Sequence, residues 1–430
     1  QIDTDRLPEL LTRVYAQIVS LRRQLADGTI NFQSEELFDS INITETLANN
    51  LETILVLYPN HENKESIAFV AATAHALLQK INNSIGYNSI SILEVDSIST
   101  YISCIILFLI GNSQADAAEV ANHLFVNKEI SLTKQKLVSY IQALGKGNLD
   151  EILDNPITEE EIESKYLQEV ALDYLWREIG LGIYNIALRL TNKSETKQAG
   201  NLFDIIIDLS SAEDFFLEQK STFAGPYHLA KLLKILDDDI INRGVINIPT
   251  PKGVDGILWE GFLEKLAKQR PYLWENHKDA IDTNFLDSGI SSVLTLPTGA
   301  GKSTLSELKI ASCLYSGRKV IYLVPTHALE DQVNKNLKKL FSEFEPDNLE
   351  FDGEYTEIED IDSFPILVMT PERCLTLLNM SSDFFNTLGL IVFDEFHLIN
   401  GKNIQKDRRA LDAMYCLVSL FTIAPNSDFL

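Results

Sequence analysis

The chain has 430 residues, of which 45% are hydrophobic and 23% are charged. This composition is typical of folded globular domains, and it excludes a mainly disordered chain, a collagen-like chain and a small disulfide scaffold. With 36 Lys and Arg against 62 Asp and Glu, the formal net charge is −26. A broad electropositive surface for non-specific nucleic-acid binding is therefore not expected. Any grip on nucleic acid must be local, through backbone amides, helix ends and a few basic side chains.

The first part of the chain, residues 1–243, has the pattern of an α-helical region. Gly28 follows the first apolar stripe as a stop signal, and Thr158 and Glu161 have the spacing of a capping box. We see no strand alternation in this region. Two apolar stripes with helical spacing support this prediction: Leu7, Leu10, Leu11, Val14, Ile18, Leu21 and Leu25, and then Leu229, Leu232, Leu233 and Leu236.

The longest apolar run, residues 102–110, predicts a core helix, because a bilayer-spanning helix needs about 20 apolar residues. No signal peptide opens the chain, so we expect no membrane association and a cytoplasmic location. The four cysteines show no metal-ligand spacing, and we interpret them as buried free thiols in a reducing compartment: Cys104, Cys313, Cys374 and Cys416.

Residues 244–258 are rich in Pro and Gly and predict a linker. From residue 259 to 430, short β-branched runs alternate with helical patterns, which is typical of βαβ units with a parallel sheet. We expect strands over 292–296, 320–324, 366–369 and 390–393, and the last residues of the chain read as the start of another strand. The predicted fold is an α-helical N-terminal region followed by an α/β domain with a mainly parallel sheet.

The strongest chemical signal follows the first of these strands, where Leu-Pro-Thr-Gly-Ala-Gly-Lys-Ser-Thr occupies residues 296–304. Two glycines let the backbone fold around an anion, and the amides at the helix start point at phosphate oxygens. Lys302 would neutralise the β- and γ-phosphates, and the Ser303 hydroxyl would bind Mg²⁺. The usual first Gly of such a loop is absent, and a Gly-rich turn that binds nothing is the alternative. The predicted site for ATP comprises Thr298, Gly299, Ala300, Gly301, Lys302, Ser303 and Thr304.

The second signal is Asp394-Glu395-Phe396-His397, directly after a predicted strand. Ligands of parallel sheets bind at the carboxyl ends of strands. Asp394 would hold Mg²⁺ through water, and Glu395 would polarise the attacking water as general base. Acidic pairs are common in an acidic chain, so this pattern alone is weak evidence for a site. It becomes specific because it follows the predicted phosphate loop, with alternating strands and helices between the two.

Two further segments also start helices after predicted strands. Thr326 and His327 begin one, and Thr370 and Arg373 lie at the start of the other. Free amides and hydroxyls at helix starts suit the phosphates of a single nucleic-acid strand. Taken alone, each segment is also explained as a plain helix cap.

The four segments, in this order, resemble the first motor domain of superfamily 2 helicases, and more narrowly the DExH, Ski2-like branch. Motif I of that family matches residues 297–304, motif Ia 325–332, motif Ib 370–373 and motif II 394–397, and residues 408–412 resemble the Arg-Gly-x-x-Leu-Glu stretch that follows. The resemblance implies a RecA-like fold and ATP hydrolysis. It also implies that Lys302, Ser303 and Thr304 bind nucleotide and Mg²⁺.

The resemblance assigns further roles. Asp394 and Glu395 act on metal and water, and His397 couples motif II to the nucleic-acid site. The strand's phosphates are contacted by Thr326, His327, Thr370 and Arg373.

This chain departs from the family's pattern at two positions. His327 stands where the family often has Arg, and His277 lies near the place of the adenine-reading Gln. The second departure puts adenine selectivity in question.

The family continues with motif III and a second motor domain that carries an arginine finger. Leu430 falls just before the place of motif III. Such fingers are worth about 10³ to 10⁵ in rate, so we expect the 430-residue chain by itself to be nearly inactive as an ATPase.

The leading functional prediction is an ATP-dependent helicase or translocase on a single nucleic-acid strand, with DNA slightly favoured over RNA. The helical region is a scaffold, a docking platform for a protein partner or, as the alternative that its acidic charge favours least, a direct nucleic-acid contact. Such extensions resemble the helicase subunits of prokaryotic anti-phage systems such as Hachiman, in which a nuclease partners the helicase. The alternatives are a motor subunit of a nuclease-containing defence complex gated by that partner, and a nucleotide-switched interaction module.

Overall fold

The computed structural model describes residues 7–29, 35–85, 93–125, 130–157, 166–192, 202–211, 213–214, 219–220, 223–296, 301–342, 364–379, 383–399 and 408–430. The chain divides into two compact units. The helical unit comprises Gln1–Asn247 and Glu264–Tyr272, and the sheet unit comprises Ile248–Leu263 and Leu273–Leu430. Among the described residues, none of the helices combines the length and the apolar character that a membrane span requires.

The helical unit is built from α-helices and one short antiparallel hairpin. The hairpin pairs β1 (Glu213–Asp214) with β2 (Gln219–Lys220), two strands that the sequence did not predict. The helices are α1 (Leu7–Ala26), α2 (Glu35–Leu57), α3 (Lys64–Ile85), α4 (Thr100–Ile110), α5 (Gln114–His123), α6 (Leu132–Lys146), α7 (Asp150–Leu153), α8 (Leu167–Thr191), α9 (Leu202–Ser210) and α10 (Ala224–Ile240).

Both predicted apolar stripes face the core of this unit. The stripe of α10 is completely inaccessible to solvent, and in α1 the stripe is buried except at its flanks, where Leu10 is 39% exposed. After α1, Gly28 adopts a left-handed φ of 64°, which glycine reaches without the steric cost of a Cβ atom. The capping box proposed at Thr158 and Glu161 lies outside the described residues.

The predicted core helix over 102–110 is confirmed as α4. Every residue from Ile102 to Ile110 is buried, and α4 packs against α3, α5, α6 and α10. Ser99 begins the helix, since its side chain accepts a hydrogen bond from the Tyr101 amide. A helix that is apolar on all sides needs neighbours on all sides, which explains its central position. All four cysteines are buried free thiols, as predicted.

Charged groups inside the helical unit are compensated by partners that are distant in the sequence. Glu52 accepts hydrogen bonds from His75 at 3.0 Å and from His228 at 2.7 Å. Arg243 pairs with Glu65 and donates to carbonyl oxygens at the end of α4. Buried charges require such partners.

Helix α11 (Gly256–Ala267) contains the boundary between the two units. The segment 244–258, for which the sequence predicts a linker, holds a 3₁₀ turn at Val245–Asn247 and the first three residues of α11. The 3₁₀ turn belongs to the helical unit and the start of α11 to the sheet unit.

The sheet unit contains a four-stranded parallel sheet in the order β4-β3-β5-β6, covered by helices. Ile321 of β3 pairs with Leu367 of β4 and with Ile391 of β5. The strands are β3 (Lys319–Leu323), β4 (Ile366–Met369), β5 (Leu388–Phe393) and β6 (Asp428–Phe429), and the helices are α12 (Glu275–Asp282), α13 (Lys302–Tyr315), α14 (His327–Leu340), α15 (Pro371–Leu378) and α16 (Arg408–Ile423).

Three of the four predicted internal strands are confirmed as β3, β4 and β5, and the strand start at the chain's last residues is confirmed as β6. The strand predicted over 292–296 is wrong, because these residues form no strand. The Ser292 amide donates to the Phe429 carbonyl at 2.8 Å. Since β6 is only two residues long, the pairing does not extend into a ladder.

Candidate functional site

The described part of the predicted phosphate loop begins at Gly301, which precedes α13. Gly301 has a left-handed φ of 79°, and a Cβ atom at this position would lie 2.2 Å from Nε2 of His277. Glycine is therefore required here for both backbone and steric reasons. Lys302 and Ser303 follow on the first turn of α13, and both are exposed. Thr298, Gly299 and Ala300 lie outside the described residues.

The pair Asp394 and Glu395 follows β5, whose six residues are all buried. The Asp394 amide donates to the Leu323 carbonyl of β3 at 3.0 Å, and the Glu395 amide donates to Oδ1 of Asp394 at 3.0 Å. Glu395 has a φ of 60°, which is uncommon for a residue other than glycine. Such backbone strain is concentrated at functional sites.

Lys302 at the start of α13 lies within electrostatic reach of Asp394 at the end of β5. Burial raises the pKa of Asp394 above its ordinary value, the neighbouring charge of Glu395 raises it further, and Lys302 acts in the opposite direction. Lys302 comes from the start of α13 and Asp394 from the end of β5. Two segments that the sequence assigns to one site therefore interact in the structure.

Tyr322 is a neighbour of this site that the sequence analysis missed. Burial raises the pKa of the Tyr322 phenol, and so do the negative charges of Asp394, Glu307 and Glu395. Tyr322 belongs to β3, one residue before that strand ends. Its position near a strand end was the available signal, but an aromatic residue in a strand is more often part of the core.

The oxygen atoms of this site suit Mg²⁺ better than a metal ion whose ligands all come from protein side chains. Within the described parts of the chain, no group of three or more His, Cys, Asp or Glu side chains is arranged to hold a metal ion. Mg²⁺ is usually bound through one or two carboxylates together with water and substrate phosphates. The predicted ligands Ser303 and Asp394 offer oxygen donors of this kind beside Lys302.

Two of the predicted strand-binding residues, His327 and Arg373, meet on one carboxylate. Glu330 is 5% exposed. One of its oxygens lies 3.0 Å from Nδ1 of His327, and the other accepts from Nη1 of Arg373 at 2.8 Å. Glu330 therefore connects α14 to α15, and the sequence analysis missed it. Its spacing of three residues from His327 was a signal, because such residues are neighbours on a helix surface.

The two predicted threonines occupy different environments. Thr326 is exposed and caps α14, since its hydroxyl accepts from the Leu329 amide at 3.4 Å. Thr370 precedes α15, makes no side-chain cap and is 4% exposed. The side chain of His397 lies outside the described atoms, and its backbone is in the 3₁₀ turn Phe396–Ile399.

His277, which the sequence places near the position of the family's adenine-reading Gln, lies against Gly301 at the start of α13. It is 2% exposed, and its ring stacks on that of Trp274 with centroids 5.5 Å apart and planes 3° apart. The backbone of Gly301 approaches this imidazole closely, since a Cβ atom at Gly301 would lie 2.2 Å from Nε2 of His277.

A buried charge cluster anchors the middle of α13. Lys309 is 2% exposed, donates to the Asp287 carbonyl at 2.7 Å and lies 3.4 Å from Asp428 of β6. Asp428 also accepts from the Gly289 amide at 3.0 Å. These contacts hold the segment ahead of the phosphate loop, α13 and β6 in one arrangement.

Comparisons with known proteins agree with this geometry. Residues 275–423 match the DEAD/DEAH box helicase family. The chain is 27% identical over 129 residues to the ATP-dependent DNA helicase Hel308 of Methanocaldococcus jannaschii, an alignment that covers 29% of this chain and 11% of that protein. It is 28% identical over 152 residues to the ATP-dependent DNA helicase MER3 of Saccharomyces cerevisiae, covering 33% of this chain and 12% of that protein.

A third relative is the mRNA transport homolog 4 of Caenorhabditis elegans, with 32% identity over 117 residues, covering 27% of this chain and 11% of that protein. The aligned segments thus span only about an eighth or less of these three relatives. The comparisons support a superfamily 2 helicase domain in this part of the chain.

Proposed function

We propose that the sheet unit is the first, ATP-binding motor domain of a Ski2-like helicase or translocase that moves along a single nucleic-acid strand. The observation that carries this proposal is the electrostatic interaction of Lys302, at the start of α13, with Asp394, at the end of β5. In a parallel sheet this edge is where ligands bind. The family match over residues 275–423 supports the same assignment.

The side chains of this site divide the work of ATP hydrolysis. Lys302 neutralises the β- and γ-phosphates, and the amides at the start of α13 donate to phosphate oxygens. Ser303 and Asp394 hold Mg²⁺, which supplies charge neutralisation on the phosphates when bound. Glu395 accepts the proton of the attacking water.

The nucleic-acid strand is held on the same edge of the sheet. Thr326, Thr370 and Arg373 follow β3 and β4, whose carboxyl ends lie side by side. Glu330 holds Arg373 and His327 with one carboxylate, so that basic groups from two helices are fixed beside each other. Two of the relatives carry the words DNA helicase in their names, which supports DNA as the track. His397 couples this surface to Glu395.

In this proposal the helical region, near residues 1–243, serves as a platform for a protein partner, and residues near 259–430 form the motor domain. A nuclease subunit in a cytoplasmic antiviral defence complex is the partner class that the long helical extension favours. The unit's acidic character suits a partner with a basic surface. Because the matched region covers one motor domain, we expect slow hydrolysis by the 430-residue chain alone.

Nucleotide binding is accordingly the sharper test. We would titrate the 430-residue chain with a fluorescent ATP analogue and Mg²⁺, beside Lys302→Ala and the control Lys339→Ala, an exposed lysine of α14. Loss of a charge-assisted contact predicts a Kd raised about 10- to 100-fold for Lys302→Ala and unchanged for Lys339→Ala. Equal affinity in all three proteins would exclude a nucleotide site at Lys302.

Because slow hydrolysis is expected of the 430-residue chain alone, the choice between DNA and RNA is tested on a longer chain that carries a second motor domain. ATP hydrolysis would be measured with no nucleic acid, with single-stranded DNA and with single-stranded RNA, beside Glu395→Gln. Stimulation by DNA that disappears in Glu395→Gln supports the motor assignment. Stimulation of ATP hydrolysis by RNA alone would identify RNA, and not DNA, as the strand along which the motor moves. Nucleotide binding without any stimulation of hydrolysis would favour a nucleotide-switched module.

A further inference from the structure

Helix α16 carries apolar side chains on two faces. One face packs into the core of the sheet unit: Ala413, Cys416, Leu417 and Leu420. The second face, which we call the α16 stripe, is between 43% and 64% exposed at five large side chains: Leu411, Met414, Tyr415, Val418 and Phe421. A helix that is apolar on more than one face is normally covered on each of them, and exposed apolar patches mark interaction surfaces.

The α16 stripe has the spacing of a coiled-coil seam. Four of its members follow one another at steps of three, four and three residues: Leu411, Met414, Val418 and Phe421. This is the spacing of the a and d positions at which two helices interlock their side chains, with axes about 8–10 Å apart. The surface therefore fits an α-helix that carries an apolar seam of the same spacing.

The α16 stripe is symmetric about its centre. Leu411 and Phe421 lie five residues before and after Cys416, and Met414 and Val418 lie two residues before and after it. Two antiparallel α16 helices that cross at this point would place Leu411 of each copy on Phe421 of the other. They would also place Met414 of each copy on Val418 of the other. A two-fold interface requires a self-complementary surface of this kind.

The charges at the ends of α16 favour the antiparallel orientation. Arg408 is exposed on the first turn, which contains no acidic residue, and the last turn contains no basic residue. A cation at the start of a helix is unfavourable for that helix, because this end carries a positive partial charge. In an antiparallel pair, Arg408 of each copy lies beside the carbonyl end of the other helix, where a cation is stabilising. A parallel pair would bring the two arginines together.

We propose that two copies of this chain associate through the α16 stripe, with their α16 helices antiparallel. The interface buries the apolar face that the sheet unit leaves exposed, and it places each Arg408 at the carbonyl end of the other helix. It uses none of the residues to which a role in nucleotide or nucleic-acid binding is assigned above.

The test is analytical ultracentrifugation of the 430-residue chain over a concentration series that reaches about 100 μM. Physiological ionic strength screens the repulsion that arises from the net charge of −26. We expect a monomer–dimer equilibrium in the wild type. Met414→Lys and Val418→Glu should each raise the dimer Kd about tenfold or more, because each places two charges against apolar side chains. Arg408→Ala should raise it about two- to fivefold.

An equimolar mixture of Met414→Lys and Val418→Glu tests the orientation. In the antiparallel pair the new lysine of one copy faces the new glutamate of the other, so the mixture should dimerise more tightly than either variant by itself. The matched control is Ile257→Lys. Ile257 lies on α11, outside the α16 stripe, and is 83% exposed, so this variant should leave the dimer Kd unchanged. Melting temperatures confirm that the variants are folded.

The proposal is overturned if the wild type stays monomeric over the whole series, which would leave the α16 stripe to a different protein chain. It is also overturned if the dimer survives both Met414→Lys and Val418→Glu, or if Ile257→Lys weakens it as much as they do. A mixture that dimerises no better than its components would exclude the antiparallel pairing of Met414 with Val418.

Discussion

Two carboxyl groups, one in each unit, show how differently this chain treats buried charge. Burial by itself would raise the pKa of Glu52 in the helical unit, but hydrogen bonds from His228 and His75 outweigh it and hold the pKa well below its ordinary range. At the edge of the sheet, burial raises the pKa of Asp394 and the adjacent Glu395 raises it further. The first carboxylate is stabilised by its surroundings and the second is destabilised.

This difference is the one expected between a carboxylate that stabilises the fold and one that, as proposed for Asp394, binds a cation. Both carboxylate oxygens of Glu52 accept hydrogen bonds from histidines, so its charge stabilises the folded state. Asp394 faces a like charge, and the field of Lys302 offsets this only in part. A bound cation would relieve this repulsion and stabilise the site. This is the physical reason that carboxylates with shifted pKa values are concentrated at functional sites.

The largest effect is expected from Glu52→Ala, which leaves the buried His75 without its partner. Removing one member of a buried pair costs about 3–5 kcal/mol. The free energy of unfolding should fall by this amount in denaturant titrations at neutral pH. Glu45→Ala, an exposed position on the same helix, should change it by less than about 0.5 kcal/mol. A loss of similar size in both variants would mean that α2, and not the His–Glu–His contact, sets the cost.

The contribution of Glu52 also depends on pH. Because the folded-state pKa is lowered, its stabilisation is complete above the unfolded value of about 4.3 and is lost as the pH falls through the folded value. Melting temperatures measured between pH 7 and pH 2 should fall less steeply for Glu52→Gln than for the wild type. Parallel curves would contradict the assigned role of the carboxylate.

The next effect concerns Gly301, which precedes α13 and lies close to His277. Gly301→Ala and Gly317→Ala both place a Cβ atom on a left-handed backbone, but only at Gly301 does it meet a side chain, His277. The shared backbone cost is about 1–2 kcal/mol. Gly301→Ala should lose more stability than Gly317→Ala and also weaken ATP binding. Equal melting temperatures and equal ATP affinity in the two variants would refute the close packing of His277 against Gly301.

A smaller effect is expected from Glu330→Gln, which weakens the bonds to Arg373 and His327. Hydrogen bonds to charged groups are worth about 1.5–3 kcal/mol when buried, and the partial exposure of Arg373 reduces this to about 1 kcal/mol. Unfolding in denaturant measures the loss, with the exposed neighbour Asp331→Asn as control. If Asp331→Asn is as destabilising as Glu330→Gln, the loss of a negative charge on α14, and not the contacts of Glu330 with Arg373 and His327, explains the result.

The smallest effect on stability, and one of opposite sign, is expected at the sheet edge. The folded-state pKa of Asp394 is raised, so the favourable contribution of this group is present at low pH and is lost as the pH rises through the folded value. Asp394→Asn should therefore melt at the same or a slightly higher temperature than the wild type at pH 7, while Mg²⁺-dependent ATP binding weakens. A marked fall in melting temperature at pH 7 would place Asp394 in the same class as Glu52.

Local sequence patterns predicted much of this fold. The apolar period of α1, α4 and α10 and the β-branched runs of β3, β4 and β5 were sufficient, because each depends on residues within one element. The failed strand at 292–296 shows the limit of that argument. Strand formation needs a paired neighbour, and among the described residues the backbone hydrogen bond from Ser292 to Phe429 of the two-residue β6 does not extend into a ladder.

By itself, the sequence determined where chemistry is placed along the chain. Lys302, Thr326, Thr370 and Asp394 each stand where a strand or loop gives way to a helix or turn, and parallel strands bring such positions to one edge. The tertiary structure alone decided which groups compensate each other. Glu52 and His228 are 176 residues apart, and Glu330 and Arg373 are 43 apart. Pairs of this kind leave no local pattern, because their distance depends on how whole helices pack.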